Sequence, residues 1–234
     1  MFPPPYTMPV IRTSDPLLPP ANAHEEAIRR YQGYRDYAME AAWDKWNVQL
    51  KRGGVDLKLL PIDGSALQFW SSVWSICNPP GGVRFPWNTI YRRVRSTPRR
   101  FDLAIWDGSI LCGLAVGVAS RGKIGQDTNL TMKFLERLGD PPIGPPMNSI
   151  RGYVATIALD VAYAYAQTLD KKWLYLQEPL PGAVPKYEEL GFSLPAPPKD
   201  GYNTLYICWY CTSIIKSCLC RHEDCGHAII KQCH

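Results

Sequence analysis

Strand, helix and strand follow one another between residues 128 and 179, and few folds satisfy that order. "TNLTMKFLERL" (128–138) reads as a strand. Val154, Ile157, Ala158, Val161, Ala162 and Tyr165 recur at helical spacing, which predicts a helix over about 153–168. "KWLYLQEP" (172–179) is the next strand. Two strands joined through a helix run parallel, and the crossover is right-handed. Upstream, "RRFDLAIWDGSILCGLAVGVAS" (99–120) imposes the opposite pairing, because two β-rich runs meet at Asp107-Gly108, a dipeptide suited to a tight primed turn. The expected fold class is therefore mixed α/β, with helices flanking a sheet that holds both parallel and antiparallel strands.

The remaining elements arrange themselves around this unit. Residues 1–21 read as a proline-rich extended arm, and 22–52 as one amphipathic helix. Asn22 is placed to cap that helix, with Glu25 in the capping-box position. Ala27, Tyr31, Tyr34, Ala38, Ala41, Ala42 and Trp46 make its apolar stripe, which must lie on the body of the chain or on a second copy in a homodimer. A single domain over 54–210 holds a strand at 55–62, helices at 65–78 and 87–96, the hairpin, the crossover, a helix at 181–191 and a closing strand at 202–210. Residues 211–234 form a Cys/His-rich tail.

Cysteine usage is skewed, with Cys77 and Cys112 in the body and six others between Cys208 and Cys233. That skew suits thiols or metal ligands in a reducing compartment better than a disulfide framework. The longest apolar run, "ILCGLAVGVAS" (110–120), is too short and too interrupted by glycine to cross a bilayer. The N-terminus lacks the basic start and apolar core of a secretory signal, so a cytoplasmic location with no membrane partner is expected. A net charge of +5 permits an anionic partner without requiring one.

"IRGYVATIAL" (150–159) enters the crossover helix. A helix start offers unpaired N–H groups and the positive end of the dipole, which together suit a pyrophosphate. Arg151 can add a charge-assisted contact, and Gly152 opens dihedrals closed to other residues. Read on its residues alone, the same stretch also suits a plain core helix.

The run 151–192 resembles the central half of the GNAT superfamily of N-acetyltransferases. That family's turn reads R/Q-x-x-G-x-G/A, followed after a helix and a strand by A-x-x-x-Y-x-x-x-G-F. Here Arg151 fits the first position, and Ala183, Tyr187, Gly191 and Phe192 fit the second pattern. Val154 and Thr156 stand where the family prefers small residues, and Leu180 stands where it often has asparagine. Branching at Val154 is expected to crowd a pyrophosphate.

The resemblance implies a GNAT-like fold over roughly 54–210 and acetyl-CoA as co-substrate, held between splayed strands 128–138 and 172–179. Arg151, Gly152, Tyr153, Val154, Ala155 and Thr156 would hold the cofactor. Tyr187 is the implied general acid toward the leaving thiolate, and Glu136 is the acid placed to take the proton of the amine acceptor. A backbone N–H of strand 128–138 would meet the developing oxyanion. No Ser/His/Asp arrangement competes, since His24 is the only histidine before residue 222.

Two features stand outside that reading. Arg84, Arg92, Arg93, Arg95, Arg99 and Arg100 crowd one segment, which reads first as a solvated face and second as contact with an acidic or phosphate-bearing acceptor. In the tail, Cys218, Cys220, Cys225 and His227 are the best four ligands for Zn²⁺, although their spacing is not that of a zinc ribbon. The alternatives to an enzyme are a GNAT-like interaction module that has lost the cofactor, and a zinc-stabilised nucleic-acid-binding protein.

Overall fold

The computed structural model describes residues 22–77, 85–121, 128–141 and 149–193, together with the backbone of 204–208. The arm, and the tail with Cys218, Cys220, Cys225 and His227, lie outside the described residues.

Six strands form one sheet in chain order: β1 (Leu57–Leu60), β2 (Arg100–Asp107), β3 (Ile110–Ala119), β4 (Asn129–Arg137), β5 (Trp173–Gln177) and β6 (Thr204–Cys208). Every neighbouring pair is antiparallel except β4 and β5. The parallel pair is the one spanned by the crossover helix α5 (Val154–Thr168). This order, with one parallel pair bridged by one helix, is the mixed α/β arrangement expected from the sequence.

Helices cover both faces. On one lie α5 and α1 (Ala23–Leu50), packed over Leu103, Ile105, Ala115, Leu130 and Leu174. On the other lie α2 (Gly64–Phe69), continuing through a π turn Trp70–Trp74 into α3 (Ser75–Cys77), and then α4 (Trp87–Val94). These pack Trp74, Trp87 and Ile90 over Leu111, Leu114 and Val116.

Asn22 caps α1 as its sequence position requires, accepting from the amides of His24 at 3.1 Å and Glu25 at 3.0 Å. The apolar stripe of α1 finds its cover within the chain, on α5 and β1. The buried set differs from the expected stripe: Ala41 is exposed, while Met39, Leu50 and the guanidinium of Arg35 are buried. Arg35 is drawn in by polar partners, since β1 leaves the first residues of β2 unpaired on that edge. Arg35 donates to the carbonyls of Pro98 at 3.2 Å and Arg100 at 3.1 Å, and its Nε lies 3.2 Å from Asp102. Arg100 reaches the same carboxylate at 3.0 Å. A buried charge is tolerated only with such pairing.

Two glycines of β3 record close approaches. A Cβ at Gly117 would lie 2.5 Å from the carbonyl oxygen of Thr131, where β4 bulges. A Cβ at Gly113 would lie 2.4 Å from Cγ1 of Val154. The glycines that interrupt this apolar run are therefore clearances in the sheet, one for β4 and one for the root of α5.

Candidate functional site

The parallel ladder is short. It runs from Asn129–Trp173 to Met132–Leu176 and stops, while β4 continues to Arg137 against β3 alone. Residues 133–137 of β4 thus face a gap where β5 should continue. The gap opens into a cleft of about 830 Å³, a size that suits an extended ligand. Its walls come from β4, the end of β5, the turn into α5, and α6 (Val184–Glu189).

A β-bulge in β4 decides which side chains face which way. Val116 pairs with Phe134 and Gly117 with Met132, so Lys133 is the extra residue. Before the bulge, Leu130 and Met132 point toward α5; after it, Leu135 takes that face. Phe134 and Glu136 are thereby turned to the α4 face. Glu136 is buried, borders the cleft, and accepts a hydrogen bond from Trp87 Nε1 of α4.

The turn into α5 is built around the carbonyl of Ile150, which accepts from the amides of Tyr153 at 2.8 Å and Val154 at 3.2 Å. Among the described residues, the amides of Gly152, Ala155 and Thr156 donate to no backbone carbonyl, and no side chain caps the helix. Arg151, Gly152, Val154 and Ala155 line the cleft. Arg151 is half-exposed and ion-paired to Asp140. Tyr153 turns the other way and packs its ring on Trp46 of α1 at 5.8 Å, and Thr156 is absent from the cleft wall.

Two expectations about this turn need correction. Gly152 does not occupy the left-handed region, and a Cβ there would meet nothing within 4 Å, so neither its dihedrals nor packing within the described residues requires a glycine. Val154 does not fill the opening with its branched side chain, which is 1% exposed and points down onto Gly113. The bulk foreseen above the turn is spent beneath it.

Tyr187 stands on α6 at the opposite wall, half-buried with its ring against Phe192 at 6.0 Å. Its own carbonyl accepts from the amides of Leu190 and Phe192, and Gly191, at φ 92°, makes that reversal affordable. Burial raises the Tyr187 pKa above the ordinary tyrosine value, so the phenol remains a proton donor.

Cys77 also borders the cleft, and burial, with the nearby charge of Asp140, pushes its thiol pKa up. None of Arg92, Arg93, Arg95, Arg99 or Arg100 lines the cleft; Arg92, Arg93 and Arg95 are exposed, and Arg100 is paired with Asp102. Arg84 lies outside the described residues. Sequence reasoning missed Lys133, Phe134 and Lys186 as cleft residues. Lys186 adjoins Tyr187 and was within reach of a motif reading; the other two depend on the bulge, which leaves no mark in the sequence.

Among the described residues no helix is long and apolar enough to cross a membrane, and no group of three or more His, Cys, Asp or Glu side chains gathers as a metal site. No protein-family model matches the chain, and no curated protein matches its sequence. Among solved structures, it is similar to Ard1 from Thermoplasma volcanium at 14% identity and a TM-score of 0.46, over 66% of this chain and 98% of that one. It is similar to Arabidopsis thaliana Naa50, in complex with the bisubstrate analogue CoA-Ac-MVNAL, at 13% identity and a TM-score of 0.45, over 65% and 99% of the two chains. A variant of the spermidine N-acetyltransferase SpeG from Vibrio cholerae gives 16% identity and a TM-score of 0.44, over 65% and 93% of the two chains.

Proposed function

We propose that this chain is an acetyl-CoA-dependent N-acetyltransferase acting on an amine. The observation that carries the reading is the early end of the β4–β5 ladder at Met132–Leu176, which leaves an unpaired strand edge beside an uncapped helix start. A diphosphate suits the amides of Gly152, Ala155 and Thr156, with the charges of Arg151 and Lys186 on the cleft wall. Nothing projects from Gly152 to obstruct it. The extended arm of the co-substrate would then run along residues 133–135 of β4, whose free edge supplies backbone donors.

Transfer is direct in this reading. The amine nitrogen attacks the thioester carbonyl, an N–C bond forms, and negative charge gathers on the oxygen opposite a β4 amide. As the C–S bond breaks, the Tyr187 hydroxyl gives its proton to the thiolate, and the amine's surplus proton passes to Glu136, directly or through water. A thiol held protonated at Cys77 is a poor nucleophile, which supports direct attack over an acyl-cysteine intermediate.

Isothermal calorimetry with acetyl-CoA tests the reading, with binding expected in the micromolar range at a stoichiometry near one. No detectable heat at millimolar co-substrate would overturn it and favour the interaction module, while zinc in the purified chain together with salt-dependent nucleic-acid binding would favour the third alternative.

A further inference from the structure

Both cations assigned to the diphosphate are ion-paired, and their partners differ in place. Lys186 is held by Glu189, 2.8 Å away, which is no part of the cleft wall. Arg151 is held by Asp140, and both of these side chains line the cleft, 49% and 42% exposed. Among the described residues Asp140 is the one partner of the Arg151 guanidinium. The intervening stretch "PPIGPPMNS" (141–149) carries no charge, so the pair balances itself at the two ends of one segment. Asp140 also sits near enough to Cys77, another residue of the cleft wall, for its charge to raise that thiol.

Such a pair can act in two ways. As a staple it would hold the root of α5 against the end of β4. The backbone makes a staple redundant. The turn closes on the Ile150 carbonyl, with Ile150 and Val154 buried, and the Leu138 amide ties the end of β4 to the carbonyl of Cys112 at 2.9 Å. A half-exposed ion pair adds little to such anchors. As a rival, Asp140 would occupy the arginine that an anion needs and set a like charge beside it.

We infer that Asp140 is a built-in competitor for Arg151, a positioning residue that holds the guanidinium until a diphosphate at the α5 turn displaces it. This rests on the acetyltransferase reading only for the identity of the ligand. Binding then exchanges one charge-assisted pair for another, and apparent affinity falls in proportion to the fraction of time that Arg151 is free. The reverse exchange assists the departure of CoA after transfer, because the arginine returns to a carboxylate already beside it. Removal of a competitor tightens binding, whereas removal of a staple loosens it.

Calorimetry on the full chain measures acetyl-CoA and, separately, inorganic diphosphate against the unaltered chain, Asp140→Ala and Asp140→Asn. Asp140→Ala is expected to tighten both ligands about three- to tenfold. Asp140→Asn, which keeps an uncharged acceptor for Arg151, is expected to tighten them by less. In an Arg151→Ala background the gain from Asp140→Ala is expected to shrink, since only the like charge is left to remove. Weaker or unchanged binding of diphosphate in Asp140→Ala, or the same gain with and without Arg151, would overturn the assignment. Tighter diphosphate in a chain that ignores acetyl-CoA would leave the competitor standing and remove the acetyltransferase reading.

Discussion

Gly113→Ala should uncouple the root of α5 from the sheet. The added Cβ would sit 2.4 Å from Cγ1 of Val154, about 1 Å inside ordinary van der Waals contact. Val154 cannot swing clear, because a β-branched side chain in a helix has one preferred rotamer and this one is enclosed. The helix start must therefore rise. Overpacking of one methyl in a filled core costs about 1–3 kcal/mol, offset by about 0.4–1 kcal/mol from the stiffer unfolded chain. Val154→Ala alone removes two buried methyl groups, worth about 1.6 kcal/mol by transfer and about 2–3 kcal/mol with the cavity. In the double variant the new methyl occupies space the old ones left, so the two changes should compensate by about 1–2 kcal/mol. Urea unfolding followed by circular dichroism measures all three. A misplacement of about 1 Å in the amide turn can cost up to about 100-fold, so Gly113→Ala should also weaken acetyl-CoA, with Val154→Ala restoring it. Additivity within about 0.5 kcal/mol would refute the claim that these residues meet, and with it the account of where the bulk of Val154 goes.

Tyr187→Phe should lower kcat about 100-fold while acetyl-CoA affinity, read by calorimetry, stays unchanged. Because burial raises the Tyr187 pKa, the alkaline limb of kcat should lie above the tyrosine value of 10.0 and vanish in the variant. Cys112 is fully buried and its pKa is pushed up to about 12 by burial. The thiol is the stabilised form, so its contribution is intact below the ordinary thiol value of 9.0 and is lost as pH rises toward 12. Cys112→Ala should flatten the alkaline slope of stability by up to about 1.4 kcal/mol per pH unit, measured by urea unfolding across that window. Arg35→Met should cost about 3 kcal/mol by leaving Asp102 with Arg100 alone; a shift under about 1 kcal/mol would mean that the second arginine suffices.

How much of the site could be read in advance varies with the range of the interaction. The Tyr187 and Gly191-Phe192 spacing was read through a family resemblance, and in the structure it falls on one short helix and one positive-φ glycine. Arg151 and Gly152 were placed at the helix start on local grounds, yet Gly152 has no unusual dihedral and a Cβ there would meet nothing within 4 Å. Tyr153 was counted with its neighbours and faces Trp46 of α1, a partner more than a hundred residues away. Arg35 is no part of the apolar stripe expected of α1, and it is drawn in because the unpaired edge of β2 gives it carbonyls and a carboxylate.

The order of elements, the antiparallel hairpin, the parallel crossover and the cap at Asn22 are properties of the chain itself, because periodicity and turn chemistry act over a few residues. Where the parallel strands part, which face Glu136 presents after the bulge, and that Val154 packs onto Gly113 are decided only when distant segments meet. A ladder ends where another surface competes for its space, and no short window of residues holds both competitors. The cleft wall of Phe85, Phe134 and Glu136 belongs to that second kind, since it exists only in the packed sheet.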